Sequence, residues 1–171
     1  MIKLLPLLGM ILLGFEITYA DDAQDNAPTA ATYAISGLHC PPCTRTVESA
    51  LARVKGIRSA KVDWATKSAR IQFDEKVIPA TQVAEIVART PHMMGGGMRY
   101  SGKLALSVPA ILDQETGKKA AESLEKLTGV GKVNTFPASH TLTVQFKDGA
   151  KLTSSQLIDA LDQVGMKAKT Y

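Results

Sequence analysis

The chain has 171 residues, with 45% hydrophobic and 21% charged content and a formal net charge of +4. That length suits one ordinary domain or two small ones, and that composition excludes disorder throughout. The positive charge is mild, forms no dense Lys/Arg stripe and comes with few aromatics, so it excludes a nucleic-acid footprint.

The first twenty residues carry Lys3, an apolar run from Leu4 to Phe15, and Thr18-Tyr19-Ala20. These are the parts of a secretory signal peptide, and the run is shorter than the ~20 residues of a membrane span. Residues 1–20 are therefore expected to be removed. A flexible acidic leader, 21–29, follows, and the mature chain enters no membrane. The expected location is periplasmic or secreted.

Ala31 to Ile35 reads as a strand. From Cys43 to Val54, the spacing of Val47, Ala50, Leu51 and Val54 predicts an amphipathic helix, ended by Gly56. Ile57–Trp64 and Ser68–Phe73 alternate as strands around a turn at Ala65-Thr66-Lys67. Pro79 suits the first turn of a helix running to about Arg89, and a short strand near Met98–Ser101 would follow.

The order then repeats. "GIRSAKVDWATKSARIQF" (56–73) and "GVGKVNTFPASHTLTVQF" (129–146) share spacing and end on Ile71-Gln72-Phe73 and Val144-Gln145-Phe146. Leu104–Val108 reads as a strand, and Ala120, Leu124 and Leu127 line a helix. Val130–Phe136 and Thr141–Phe146 form a hairpin. Leu157, Ile158, Leu161 and Val164 line a last helix, and Met166–Tyr171 closes the sheet. The expected fold is α+β. Two tandem ferredoxin-like βαββαβ units, 30–101 and 102–171, each form a four-stranded antiparallel sheet with two helices on one face.

The only two cysteines, Cys40 and Cys43, fall in the first strand-to-helix loop, "SGLHCPPCTRT". A bridge closing so short a loop constrains little of the unfolded chain, so the thiols point to chemistry. Three connections emerge at one end of this fold, which puts His92, Met93 and Met94 of "TPHMMGGGM" at the same end as the thiols. Two thiolates at a helix entry can converge on one soft ion, Cu(I) or Hg(II), whereas zinc asks for four ligands. His39, His92, Met93 and Met94 are accessory ligand candidates. His140, in the second hairpin, is expected to be solvated, and Trp64 to pack. The pair Cys-Pro-Pro-Cys leaves open a thiol-disulfide oxidoreductase, and the fold leaves open a metal-free interaction scaffold. No Ser/His/Asp set, carboxylate pair or phosphate loop suggests an enzyme.

Gly37-Leu38-His39-Cys40-Pro41-Pro42-Cys43, on the first loop of a split βαβ, resembles the Gly-Met-x-Cys-x-x-Cys motif of the heavy-metal-associated domain family. That family includes copper chaperones and the periplasmic mercury-binding protein. The resemblance implies shuttling of a soft metal by ligand exchange, with Cys40 and Cys43 as ligands. The receiver would be a partner with a metal-binding thiol site, such as a membrane transporter. Leu38 stands where the family has methionine, and Pro91-His92 where it often has glycine followed by an aromatic or lysine. The second unit, without cysteines, resembles the family only in element order and reads as a structural or docking partner.

Overall fold

The computed structural model describes residues 28–171; the expected signal peptide and most of the leader lie outside them. The elements are β1 (Thr29–Ser36), α1 (Cys43–Ala52), β2 (Ile57–Asp63), β3 (Ser68–Phe73), α2 (Ala80–Arg89) and β4 (Ser101–Ser107). They continue with α3 (Gln114–Glu125), β5 (Val130–Phe136), β6 (Thr141–Phe146), α4 (Ser154–Asp162) and β7 (Lys169–Thr170). No helix among the described residues is long and apolar enough to cross a membrane.

All strand pairs are antiparallel, and the two four-stranded sheets expected from the sequence are instead one seven-stranded sheet. Its order is β2-β3-β1-β4-β6-β5, with β7 also on β4. The strands expected at Met98–Ser101 and Leu104–Val108 are the single strand β4. It pairs with β1 from Ser101 to Ala105, with β6 from Leu104 to Ser107, and with β7 at Leu106 and Ser107. It therefore closes the run β1-α1-β2-β3-α2 and opens the run α3-β5-β6-α4-β7. Gly102, which reads as a break in the sequence, lies inside β4 because α2 crosses over it. A Cβ there would sit 3.4 Å from both Ala84 Cα and Val87 Cβ.

The repeat is physical. Gly56 (φ +96°) and Gly129 (φ +105°) turn the chain identically, each accepts a 2.8 Å bond at its carbonyl (from Asp74 and Lys147), and each precedes a bulge. Glu48 on α1 accepts the Val62 N–H at 2.7 Å, and Glu125 on α3 accepts the Val133 N–H at 3.3 Å. Alternate strand residues pack under the helices in one core, from Ala31, Tyr33 and Ile71 through Leu104 and Leu106 to Leu142 and Val144.

Polar bonds also cross the join. Thr81 Oγ1 donates to Ala150 O at 2.8 Å and accepts from Leu152 N–H at 3.3 Å, and Glu75 accepts the Ser154 N–H at 2.6 Å. Glu75 thereby places a carboxylate at the start of α4, where unpaired helical N–H groups favour negative charge.

Candidate metal site

The cysteine loop leaves β1 at Ser36 and must pass close under the chain that enters β4. At Gly37 (φ +88°), a Cβ would lie 2.4 Å from the Arg99 carbonyl oxygen, so only glycine fits. Leu38 then drives into the core, which shows that an apolar side chain of its size suffices there. Pro42, at φ −61°, is already set for the helix, and α1 starts at Cys43 with no side-chain cap.

Cys43 donates its N–H to Cys40 O at 3.0 Å, and the two residues are joined by a disulfide, with Cα atoms 5.3 Å apart. Their exposure differs. Cys43 is buried against Val47 and the sheet, whereas Cys40 is half-buried, flanked by exposed His39, Pro41 and Pro42. The two sulfurs are thus bonded to each other at a surface turn, with only one accessible, although so short a loop had set a bridge aside in the sequence.

The hairpin turn between β2 and β3 supplies a residue that local patterns did not reveal. Lys67, in left-handed backbone (φ +52°), donates through Nζ to Leu38 O at 3.1 Å and rests 2.7 Å over the Trp64 ring. Desolvation holds its ammonium pKa below the usual lysine value. Trp64 is half-buried and packs as a floor for this cation. Only the topology, with the hairpin returning to the same end as the first loop, foretold this neighbour.

The loop after α2 arrives as expected. His92 donates from Nε2 to Gly37 O at 2.8 Å and accepts the Met94 N–H at Nδ1, 3.2 Å away. Its ring stacks on Tyr100, with centroids 4.6 Å apart, and meets His39 edge-on at 5.5 Å. Both ring nitrogens of His92 are engaged, so in this arrangement it clips two loops together and holds no free lone pair for an ion. Met93 and Met94 are exposed. Tyr100 is buried, with a hydroxyl that has no hydrogen-bond partner. Among the described residues, no group of three or more His, Cys, Asp or Glu is placed to hold a metal ion.

Comparison with known proteins follows the same residues. The heavy-metal-associated domain profile matches residues 32–92. The copper chaperone CopZ of Staphylococcus haemolyticus is 36% identical over 53 residues, which cover 31% of this chain and 78% of the chaperone. The chain belongs to the heavy-metal-associated domain family. Members that align over more of it are larger proteins: a copper-transporting ATPase of Oryza sativa subsp. japonica is 28% identical over 139 residues, 79% of this chain. This heavy-metal-associated chain spans only 14% of that ATPase's length. Among solved structures, the water-soluble region of the P-type ATPase CopA from Bacillus subtilis matches at 22% identity and a TM-score of 0.41. That match covers 84% of this chain and 91% of that one. Oxidized MerP from Ralstonia metallidurans matches at 24% identity and a TM-score of 0.37, over 44% of this chain and 97% of that one.

Proposed function

We propose that this protein carries one soft metal ion, Cu(I) by the chemistry of its named relatives and Hg(II) as the other candidate, between the sulfurs of Cys40 and Cys43. The observation that carries the reading is the asymmetric sulfur pair at the start of α1. A dithiol reductant opens the disulfide by exchange. Two electrons and two protons pass to Cys40 and Cys43, and the reductant becomes a disulfide. Binding the ion then releases protons as the thiols become thiolates, helped at Cys43 by the N-terminus of α1.

Transfer follows from accessibility. An incoming thiolate of the partner reaches the ion on the Cys40 side, and Cys43, held in the core, lets go last. The receiver is a protein with its own thiol site, such as a membrane transporter, and the setting is periplasmic or secreted. The run β1-α1-β2-β3-α2, bordered by β4, forms the carrying unit, and the run from α3 to β7, which shares β4, is a fixed companion. The protein acts as a carrier of cargo and forms no product.

Anaerobic titration of the reduced protein with Cu(I) against a competing chelator tests this. One tight site is expected, and Cys40→Ser with Cys43→Ser abolishes it. Unchanged binding in that variant overturns the assignment. The bridge itself favours a second reading, dithiol/disulfide exchange as the activity. Rapid insulin reduction combined with weak Cu(I) affinity would select it.

A further inference from the structure

The loop between α2 and β4 holds three methionines in six residues, and all three stand in solvent: Met93 is 57%, Met94 59% and Met98 43% exposed. Methionine is ordinarily a core filler, as Met166 is here at 7%. The segment is not loose packing at a frayed end. His92 ties its start to Gly37 O, and Tyr100, 1% exposed, ties its end into the core.

Between these ties, two successive turns bring the chain round, closed by Gly95 N–H to His92 O at 3.1 Å and Met98 N–H to Gly95 O at 3.2 Å. Gly95, Gly96 and Gly97 all have positive φ (+60°, +67°, +77°), and a Cβ on any of them would meet nothing within 4 Å. No crowding requires these glycines. They set a left-handed turn and place no side chain between Met94 and Met98. The result is a loop tied at both ends, with three glycines between Met94 and Met98, beside the cysteine loop.

We infer that Met93, Met94 and Met98 form a second soft-metal site, for a monovalent ion such as Cu(I) or Ag(I), that works while Cys40 and Cys43 are bridged. Thioethers are neutral soft donors that lose no proton on binding and cannot be withdrawn into a disulfide. In the oxidised form, the cysteine sulfurs are bonded to each other and closed to metal. The methionine loop then holds the ion next to the pair, which takes it over when reduced. Only this last hand-over rests on the proposed function; the thioether site stands without it.

The test uses oxidised protein and Ag(I), which is not reduced or oxidised by either site, read by NMR of methionine methyl groups. One equivalent is expected to shift the signals of Met93, Met94 and Met98 and leave that of Met166 in place. Cys40→Ser with Cys43→Ser keeps this response. Changing all three loop methionines to leucine lowers Ag(I) affinity of the oxidised protein by about tenfold or more. Unmoved methyl signals, or a triple variant that binds Ag(I) as the parent does, overturns the site and leaves the thioethers as a protein-contact patch. Loss of Cu(I) binding by reduced protein alone would instead strike the cysteine assignment.

Discussion

Ile35 donates its N–H to Lys67 O at 2.7 Å, and Val108 donates its own to His140 O at 2.8 Å. Lys67 and His140 both have left-handed backbone, and both reach back to the loop ahead, Lys67 Nζ to Leu38 O and His140 Nδ1 to Ile111 O. At the same spacing from these anchors, Cys40 and Cys43 stand in the first loop, and Asp113 and Thr116 stand in the second. The first pair is joined by a disulfide. The second is a capping box, with Asp113 accepting Thr116 N–H at 2.8 Å and Thr116 Oγ1 accepting Asp113 N–H at 3.1 Å. Each helix start needs a tie between its first turn and the residue before it. At α1 backbone carbonyls supply it, with Cys43, Thr44 and Arg45 N–H donating to Cys40, Pro41 and Pro42 O and the disulfide laid across the same turn, whereas at α3 side chains supply it.

The strongest way to break this equivalence is at Gly37, whose counterpart in the second loop is Ala110. Gly37→Ala drives a methyl into the Arg99 carbonyl, and we expect a loss of roughly 3 kcal/mol or more in denaturant unfolding. Ala110→Gly should lose only about 0.5–1 kcal/mol. Next in size, exchanging the sulfur pair for the box, Cys40→Asp with Cys43→Thr, is expected to abolish Cu(I) binding in anaerobic titration. It should lower the thermal midpoint of the oxidised protein by about 5 °C or less.

Acid separates the loops more gently. The Thr116 N–H holds the Asp113 carboxyl below its ordinary pKa. Its contribution is present above the unfolded carboxylate value, near pH ~4, and is lost as pH falls through the folded value. The protection of the Thr116 amide, its exchange rate compared with that of an unfolded amide at the same pH, should therefore fall as the pH is lowered through this range, while Cys43 and Thr44 in the oxidised protein stay protected. The smallest expected effect comes from the anchors. Lys67→Met should speed exchange at His39 and Cys40, and His140→Ala should do the same at Leu112 and Asp113, each without loss of fold.

The repeated hairpins were legible because Gly56 and Gly129 end helices and because Ile71-Gln72-Phe73 and Val144-Gln145-Phe146 alternate as half-buried strands must. The nearness of the methionine loop to the cysteines followed from element order alone. The shortness of the link at Gly102 already suggested that the strand before it runs straight into the strand after it; that the two are one strand shared by a single sheet was not legible, because the passage of α2 above Gly102 lies far away in sequence. The replacement of Cys40 and Cys43 by Asp113 and Thr116 was also hidden. An absent cysteine draws attention away from what stands in its place, and a capping box shows only when the helix start is known. His140, exposed as expected, is nonetheless held by Ile111 O, a contact that required the fold.

Because β4 runs antiparallel to both β1 and β6, it leads away from the cysteine loop and toward the Asp113 loop. Its seven residues set the two poles about 20 Å apart. The two repeats meet at a single seam: cutting at Gly102 would strip the first of its border strand, because the stretch of β4 that pairs with β6 and β7 would go with the second. Whatever grips one pole leaves the opposite pole uncovered.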